Sequence, residues 1–101
     1  MTAPSLSTAA THNELGFTLY SQGQHEQALT CFLEAVHLDP AFAEAHHNLG
    51  LVHAARNEWE EATRCFQQAL DLRPQYSLAR KNLVVAHGKL ESLYRDQGKL
   101  P

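Results

Sequence analysis

The feature that most constrains this chain is an internal repeat with a period of 34 residues. Residues 9–42 align with residues 43–76 without a gap. Eleven aligned positions are identical: Ala9/Ala43, His12/His46, Leu15/Leu49, Gly16/Gly50, Glu26/Glu60, Ala28/Ala62, Cys31/Cys65, Phe32/Phe66, Ala35/Ala69, Leu38/Leu72 and Pro40/Pro74. A fixed period of this size indicates a repeat architecture, in which each unit buries its apolar face against its neighbours.

Each unit predicts two helices. Apolar and small residues recur at helical spacing in its first half, and again in its second half as the stripe Ala28, Phe32 and Ala35. Asn57 stands at the break between the halves of the second unit, and with Glu60 it predicts a capping box for the following helix. A proline closes each unit, because proline cannot continue a helix.

Gly16 and Gly50 lie inside predicted helices, where glycine costs about 1 kcal/mol relative to alanine. We expect each glycine to face the alanines of its partner helix, with Phe32 or Phe66 beside that contact. The missing Cβ would then let the two helix axes approach to the short end of the usual range of about 8–10 Å.

Together these motifs resemble the tetratricopeptide repeat (TPR) family, whose pattern is W-x2-L-G-x2-Y, then A-x3-F, Ala and Pro. The two units read His12-x2-Leu15-Gly16-x2-Leu19, Ala28-x3-Phe32, Ala35, Pro40 and His46-x2-Leu49-Gly50-x2-His53, Ala62-x3-Phe66, Ala69, Pro74. Histidine replaces the family's tryptophan in both units, and leucine or histidine replaces its tyrosine. The resemblance implies an all-α fold: a right-handed α-solenoid of two antiparallel helix hairpins followed by a capping helix.

The same alignment divides the chain into five segments. We expect a flexible N-terminal tail over residues 1–8, TPR units over 9–42 and 43–76, a long helix over 77–97 and a C-terminal tail over 98–101. In the long helix Leu83-Val84 replaces the family's Leu-Gly, and no helix break occurs before Gln97-Gly98. Two alternatives stay open: this helix caps the array, or it is the first helix of a further repeat in a longer protein.

The resemblance also implies a non-enzymatic protein-protein interaction module that binds an extended peptide segment of a partner in a concave groove. That groove would be formed by the first helix of each unit. Its candidate residues are Asn13, Phe17, Tyr20, His47, Asn48, Leu51, Lys81, Asn82, Val85 and Lys89. Phe17, Leu51 and Val85 predict an apolar stripe, and the amides of Asn48 and Asn82 can hydrogen-bond a peptide backbone.

The charges on this predicted face favour an acidic ligand. Lys81 and Lys89 lie at one end, and Glu14 is the only acidic residue expected on the face. TPR adaptors that hold the acidic C-termini of heat-shock chaperones use a clamp of Lys, Asn, Asn, Lys and Arg. The corresponding residues are Asn13, Phe17, Asn48, Leu78 and Asn82, of which only Asn48 fits, so we expect that clamp to be absent.

Charge and composition exclude other classes of partner. The chain has 8 Lys and Arg residues against 11 Asp and Glu, and residues 1–55 contain no Lys or Arg. This is not the broad basic face of a nucleic-acid-binding protein. The acidic first half and the basic end permit weak head-to-tail self-association. No apolar run approaches the ~20 residues that span a membrane, and we expect a cytoplasmic location.

No sequence pattern indicates catalysis, a cofactor or a metal. The seven histidines are interpreted as structural, and neither Cys-x-x-Cys nor His-Glu-x-x-His occurs. Cys31 and Cys65 occupy equivalent positions in different units, so we expect two free thiols. The alternative to a peptide-binding module is a structural or self-association module, or a segment flanking a catalytic domain in a longer protein.

Overall fold

Five helices account for nearly all of the computed structural model, which describes residues 8–98. They are α1 (Ala9–Ser21), α2 (His25–Leu38), α3 (Ala43–Ala55), α4 (Trp59–Leu72) and α5 (Ser77–Asp96). No strand occurs between residues 8 and 98. The array is elongated, with extents of 62 × 28 × 18 Å. The predicted all-α solenoid of two hairpins and a long final helix is confirmed.

The ends of the chain fall mostly outside this description. The sequence predicts an N-terminal tail over residues 1–8 and a C-terminal tail over residues 98–101. Of these, residues 1–7 and 99–101 lie outside the described residues. Thr8, at the edge of the first of these segments, is the N-cap of α1, because its side-chain oxygen accepts a hydrogen bond from the Thr11 backbone N–H at 3.1 Å.

The core forms between units as much as within them. One buried cluster joins α2 to α3 through Ala28, Phe32, Leu49 and Val52. The second joins α4 to α5 through Ala62, Phe66, Ala69, Leu70, Ala79, Leu83 and Ala86. Each cluster contains one phenylalanine ring, and four of the seven residues of the second cluster are alanines. A single hairpin would therefore leave apolar residues of these clusters in water, as is typical of repeat proteins.

The structure corrects the expected partner of the two helical glycines. A Cβ added to Gly16 would lie 2.7 Å from Cε1 of Phe32, and one added to Gly50 would lie 2.6 Å from Cε1 of Phe66. Both rings are fully buried and cannot move aside without disturbing the core. The nearest neighbour of each glycine is thus a phenylalanine ring of the partner helix and not the expected alanines.

The predicted capping box at Asn57 is also wrong. Asn57 has a φ of 62° and ends α3, as Gly23, with a φ of 79°, ends α1. Its N–H bonds to the Ala54 carbonyl at 3.0 Å, and the Glu58 N–H bonds to the His53 carbonyl at 2.8 Å. This is the Schellman pattern. Asparagine tolerates the left-handed conformation better than other non-glycine residues, which explains the exchange of Gly for Asn.

Helix α5 differs from α1 and α3 in length and in one decisive side chain. It has 20 residues, whereas α1 and α3 have 13 each. Val84 occupies the position equivalent to Gly16 and Gly50 and is 66% exposed. The Cβ and methyl groups of valine block the close approach that Gly50 permits with Phe66. Val84 therefore gives α5 a surface unlike the glycine surface on which α3 receives α4.

A search for membrane-spanning helices among residues 8–98 finds none that combines the necessary length with the necessary apolar character.

Candidate binding groove

A groove of about 770 Å³ runs along α1, α3 and the start of α5. It is lined by Asn13, Glu14, Phe17, Thr18, Tyr20, Glu44, His47, Asn48, Leu51, Tyr76, Leu78 and Asn82. The first helix of each unit supplies most of this lining, because the second helices pack against the opposite side of the first ones. The volume lies within the range of about 300–1,000 Å³ that is typical of ligand sites.

The structure brings most of the predicted groove residues together. Asn13, Phe17, Tyr20, His47, Asn48, Leu51 and Asn82 line the groove, whereas Lys81, Val85 and Lys89 do not. The ammonium of Lys89 lies 5.9 Å from the centroid of the Trp59 ring, beside α4. The expectation of an acidic ligand placed Lys81 and Lys89 in the groove, and the structure places neither there.

Sequence reasoning missed three lining residues: Thr18, Glu44 and Tyr76. Glu44 lies in the first turn of α3, so Glu14 is not the only acidic residue on this face. Tyr76 precedes α5 in the connection from α4. It aligns with Phe42 in the 34-residue repeat, and this recurring aromatic position was the available signal.

Two hydrogen bonds at equivalent positions join the first helices across the groove. The Asn48 amide donates from Nδ2 to Oδ1 of Asn13 at 2.9 Å, joining α3 to α1. The Asn82 amide donates from Nδ2 to Nε2 of His47 at 2.9 Å, joining α5 to α3. Each asparagine keeps its carbonyl oxygen and a second N–H for other partners. The bonds therefore orient both amides without using up their capacity to hydrogen-bond a ligand.

His47 is the buried polar residue of the groove, with 3% of its surface exposed. Its ring centroid lies 5.6 Å from that of Phe66 and 5.1 Å from that of Tyr76. Burial lowers the pKa of His47, while the neighbouring Asn48 side chain and the charge of Glu44 act in the opposite direction. Because Nε2 accepts the Asn82 N–H, the neutral ring carries its proton on Nδ1.

Aromatic rings and carboxylates dominate the remaining lining. The Phe17 and Tyr20 centroids are 6.2 Å apart, and Tyr76 packs beside His47. Of the described residues that line the groove, Glu14 and Glu44 are acidic, and none is a Lys or an Arg. The groove is thus an apolar and aromatic trough with two carboxylates.

Two of the other histidines contact groups that lie outside their own helix. His46 Nε2 lies 2.8 Å from the Pro40 carbonyl oxygen, and His53 Nδ1 lies 2.8 Å from Oε1 of Glu58. Within residues 8–98, no three His, Cys, Asp or Glu side chains are grouped as a metal ion would require. Both cysteines are free thiols, and burial raises the pKa of Cys65 to about 11.

Comparison with known families identifies this architecture. A family model described as "TPR repeat" matches residues 16–55, and a second described as "Tetratricopeptide repeat" matches residues 43–76. The chain belongs to the tetratricopeptide repeat family. TPR arrays are protein-interaction modules. A search of curated proteins finds no match to this TPR chain.

Solved structures share the fold of this TPR chain. Two crystal structures of MamA match with TM-scores of 0.77 and 20% identity, and each comparison covers 92% of this chain. The chain spans about half of MamA, at 47% and 50% of the two structures. The second TPR of Spaghetti (RPAP3), solved with the HSP90 peptide SRMEEVD, matches with a TM-score of 0.82 and 23% identity, over 95% of this chain and 89% of that one.

Proposed function

We propose that this TPR chain is a non-enzymatic module that binds an extended segment of a partner protein in its groove. The observation that carries the proposal is the pair of asparagine amides, Asn48 and Asn82, held in register by the hydrogen bonds to Asn13 and His47. Both amides line one apolar trough, and each side chain has a carbonyl oxygen and a second N–H besides the N–H that bonds the next helix.

The spacing of the helices suits an extended backbone. Packed helices lie about 8–10 Å apart, and an extended chain rises about 3.3 Å per residue. Asn48 and Asn82 would therefore contact backbone groups about three residues apart in a bound peptide. The solved TPR of Spaghetti (RPAP3) holds a peptide on the same fold, which supports this class of ligand without identifying it.

The test compares two double variants of the full chain. Its ligand is a peptide selected from a random twelve-residue library displayed on phage, and the measurement is the dissociation constant by titration calorimetry. Asn48→Ala with Asn82→Ala should weaken binding strongly, because a ligand amide left unpaired costs about 1–3 kcal/mol. Lys81→Ala with Lys89→Ala removes two cations that lie outside the groove, and the affinity should change little.

Thermal melts of both variants are the control for folding, because the asparagine substitutions also remove two bonds between helices. Equal losses of affinity in two folded variants, or no loss in either, would show that the peptide binds elsewhere on the surface.

A second candidate function is weak head-to-tail self-association. Residues 8–55 carry no Lys or Arg, whereas α5 carries Arg80, Lys81, Lys89 and Arg95. Leu15 on α1 also leaves half of its surface exposed at the acidic end. Light scattering at high protein concentration should then give a mass above the monomer at 0.01 M salt and the monomer mass at 1 M, since salt screens exposed charges. A monomer mass at both concentrations would exclude the contact.

We further propose a reducing, cytoplasmic location, supported by two thiols that stay unpaired. Fluorescence microscopy of a tagged chain tests the location, and a secreted fusion would contradict it.

A further inference from the structure

We infer that the groove selects a basic segment: an extended peptide that places a Lys or Arg side chain beside apolar ones. This inference rests on the proposed function and adds the charge of the ligand. It reverses the expectation from sequence, because the residues that actually line the groove carry the opposite charge from Lys81 and Lys89.

The two carboxylates of the groove are available to a ligand. Glu14 and Glu44 are exposed, and neither carboxylate has an ion-pair partner within residues 8–98. Glu58 and Glu61, in contrast, are paired with Arg56 and Arg64 at 3.4 and 3.7 Å. Glu14 lies on α1 and Glu44 on α3, so a cation entering the groove would meet a carboxylate from either side.

The aromatic rings of the groove suit the same kind of side chain. Phe17 and Tyr20 line the trough and offer π-faces that attract ammonium and guanidinium groups. The protein itself shows this chemistry: the guanidinium carbon of Arg73 lies 4.4 Å from the centroid of the Tyr76 ring. Arg73 contacts the Tyr76 ring but is not one of the residues that line the groove.

His47 adds no positive charge to oppose a basic ligand. Its burial and the N–H that Asn82 donates to Nε2 favour the neutral ring. A groove whose charged lining residues are all acidic has a negative electrostatic potential. This potential raises the local concentration of cations. An acidic peptide would meet Glu14 and Glu44 with no Lys or Arg among the described lining residues.

The test selects peptides from the random twelve-residue library on the immobilised full chain and measures which charged residues are enriched among them. Lys or Arg should be enriched at one position next to apolar residues. Replacing that residue with Glu in a synthetic copy of the selected peptide should weaken binding at least tenfold. Enrichment of Asp or Glu, or of apolar residues alone, would overturn the inference while leaving the groove as a peptide site.

Charge variants of the protein provide a second test of the inference. Glu14→Gln with Glu44→Gln should weaken the selected basic peptide severalfold and reduce the salt dependence of its affinity. The matched control is Glu34→Gln with Glu91→Gln, two exposed glutamates on α2 and α5 outside the groove, and affinity should stay unchanged. Equal effects of both pairs would show a general charge effect and overturn the inference. Failure to select any peptide would overturn the proposed function itself.

Discussion

Helices α1 and α3 occupy equivalent positions in the repeat but have different surroundings. Leu49 on α3 is 6% exposed because α2 covers it, while the equivalent Leu15 on α1 is 50% exposed. The 34-residue alignment gives both positions the same residue. The difference teaches that burial in a repeat protein depends on the neighbouring unit, and that identical residues can contribute very different amounts to stability.

The groove shows the same contrast in its polar residues. Asn13 on α1 and His47 on α3 are equivalent positions, and each accepts a hydrogen bond from an asparagine of the next first helix. His47 is packed against two rings, those of Phe66 and Tyr76. The second unit thus places a titratable group where the first places an amide.

The largest expected effect comes from truncating the buried leucine. Leu49→Ala should destabilise the protein by about 2–4 kcal/mol, because it opens a cavity between α2 and α3. Leu15→Ala, the matched variant, should cost under ~1 kcal/mol because half of that side chain is already in water. Urea denaturation measures both. Equal losses would mean that Leu15 is covered in solution and that the contrast between α1 and α3 is false.

An intermediate effect comes from adding a methyl group to the close contact of the second unit. Gly50→Ala forces the buried Phe66 ring to move, and overpacking of about 1–3 kcal/mol should exceed the ~1 kcal/mol gained in helix propensity. Gly88→Ala on α5 is the control, since its Cβ would meet nothing within 4 Å and the variant should be stabilised by about 0.5–1 kcal/mol. If thermal melts show both variants stabilised, the ring contact does not explain why Gly50 is present.

The smallest expected effect concerns pH and the contrast between His47 and Asn13. Burial lowers the pKa of His47 below its ordinary value of 6.5, so the unfolded chain binds a proton more readily than the folded one. Stability is therefore highest above pH 6.5 and falls as the pH drops from 6.5 through the lowered pKa. The Glu44 carboxylate opposes the shift, which keeps the effect modest.

Replacing His47 with the residue of the first unit isolates this contribution from the other histidines. His47→Asn should flatten the pH dependence of the free energy of unfolding between pH 5 and 7, as measured by urea denaturation at each pH. An unchanged slope would show that His47 titrates normally and that its packing against Phe66 and Tyr76 does not protect the neutral ring.

The sequence by itself determined the repeat, the all-α fold and the long final helix. These follow from periodic apolar residues, helix-ending prolines and the glycine position, which are local or recur at a fixed spacing. It also found Phe17, Leu51 and the two asparagines of the groove, because equivalent positions of a solenoid face the same way.

Only the tertiary structure decided which side chains contact one another. In the folded chain Gly50 faces Phe66 and Lys89 lies beside Trp59. Leu15, on α1, is half exposed. The charge of the groove depended on the same step, since Glu44 and the loop residue Tyr76 entered the lining and the lysines did not. The repeat period predicts on which face of its helix a residue lies. The contacts of its side chain depend also on the position of the next helix and on the direction in which a long side chain extends.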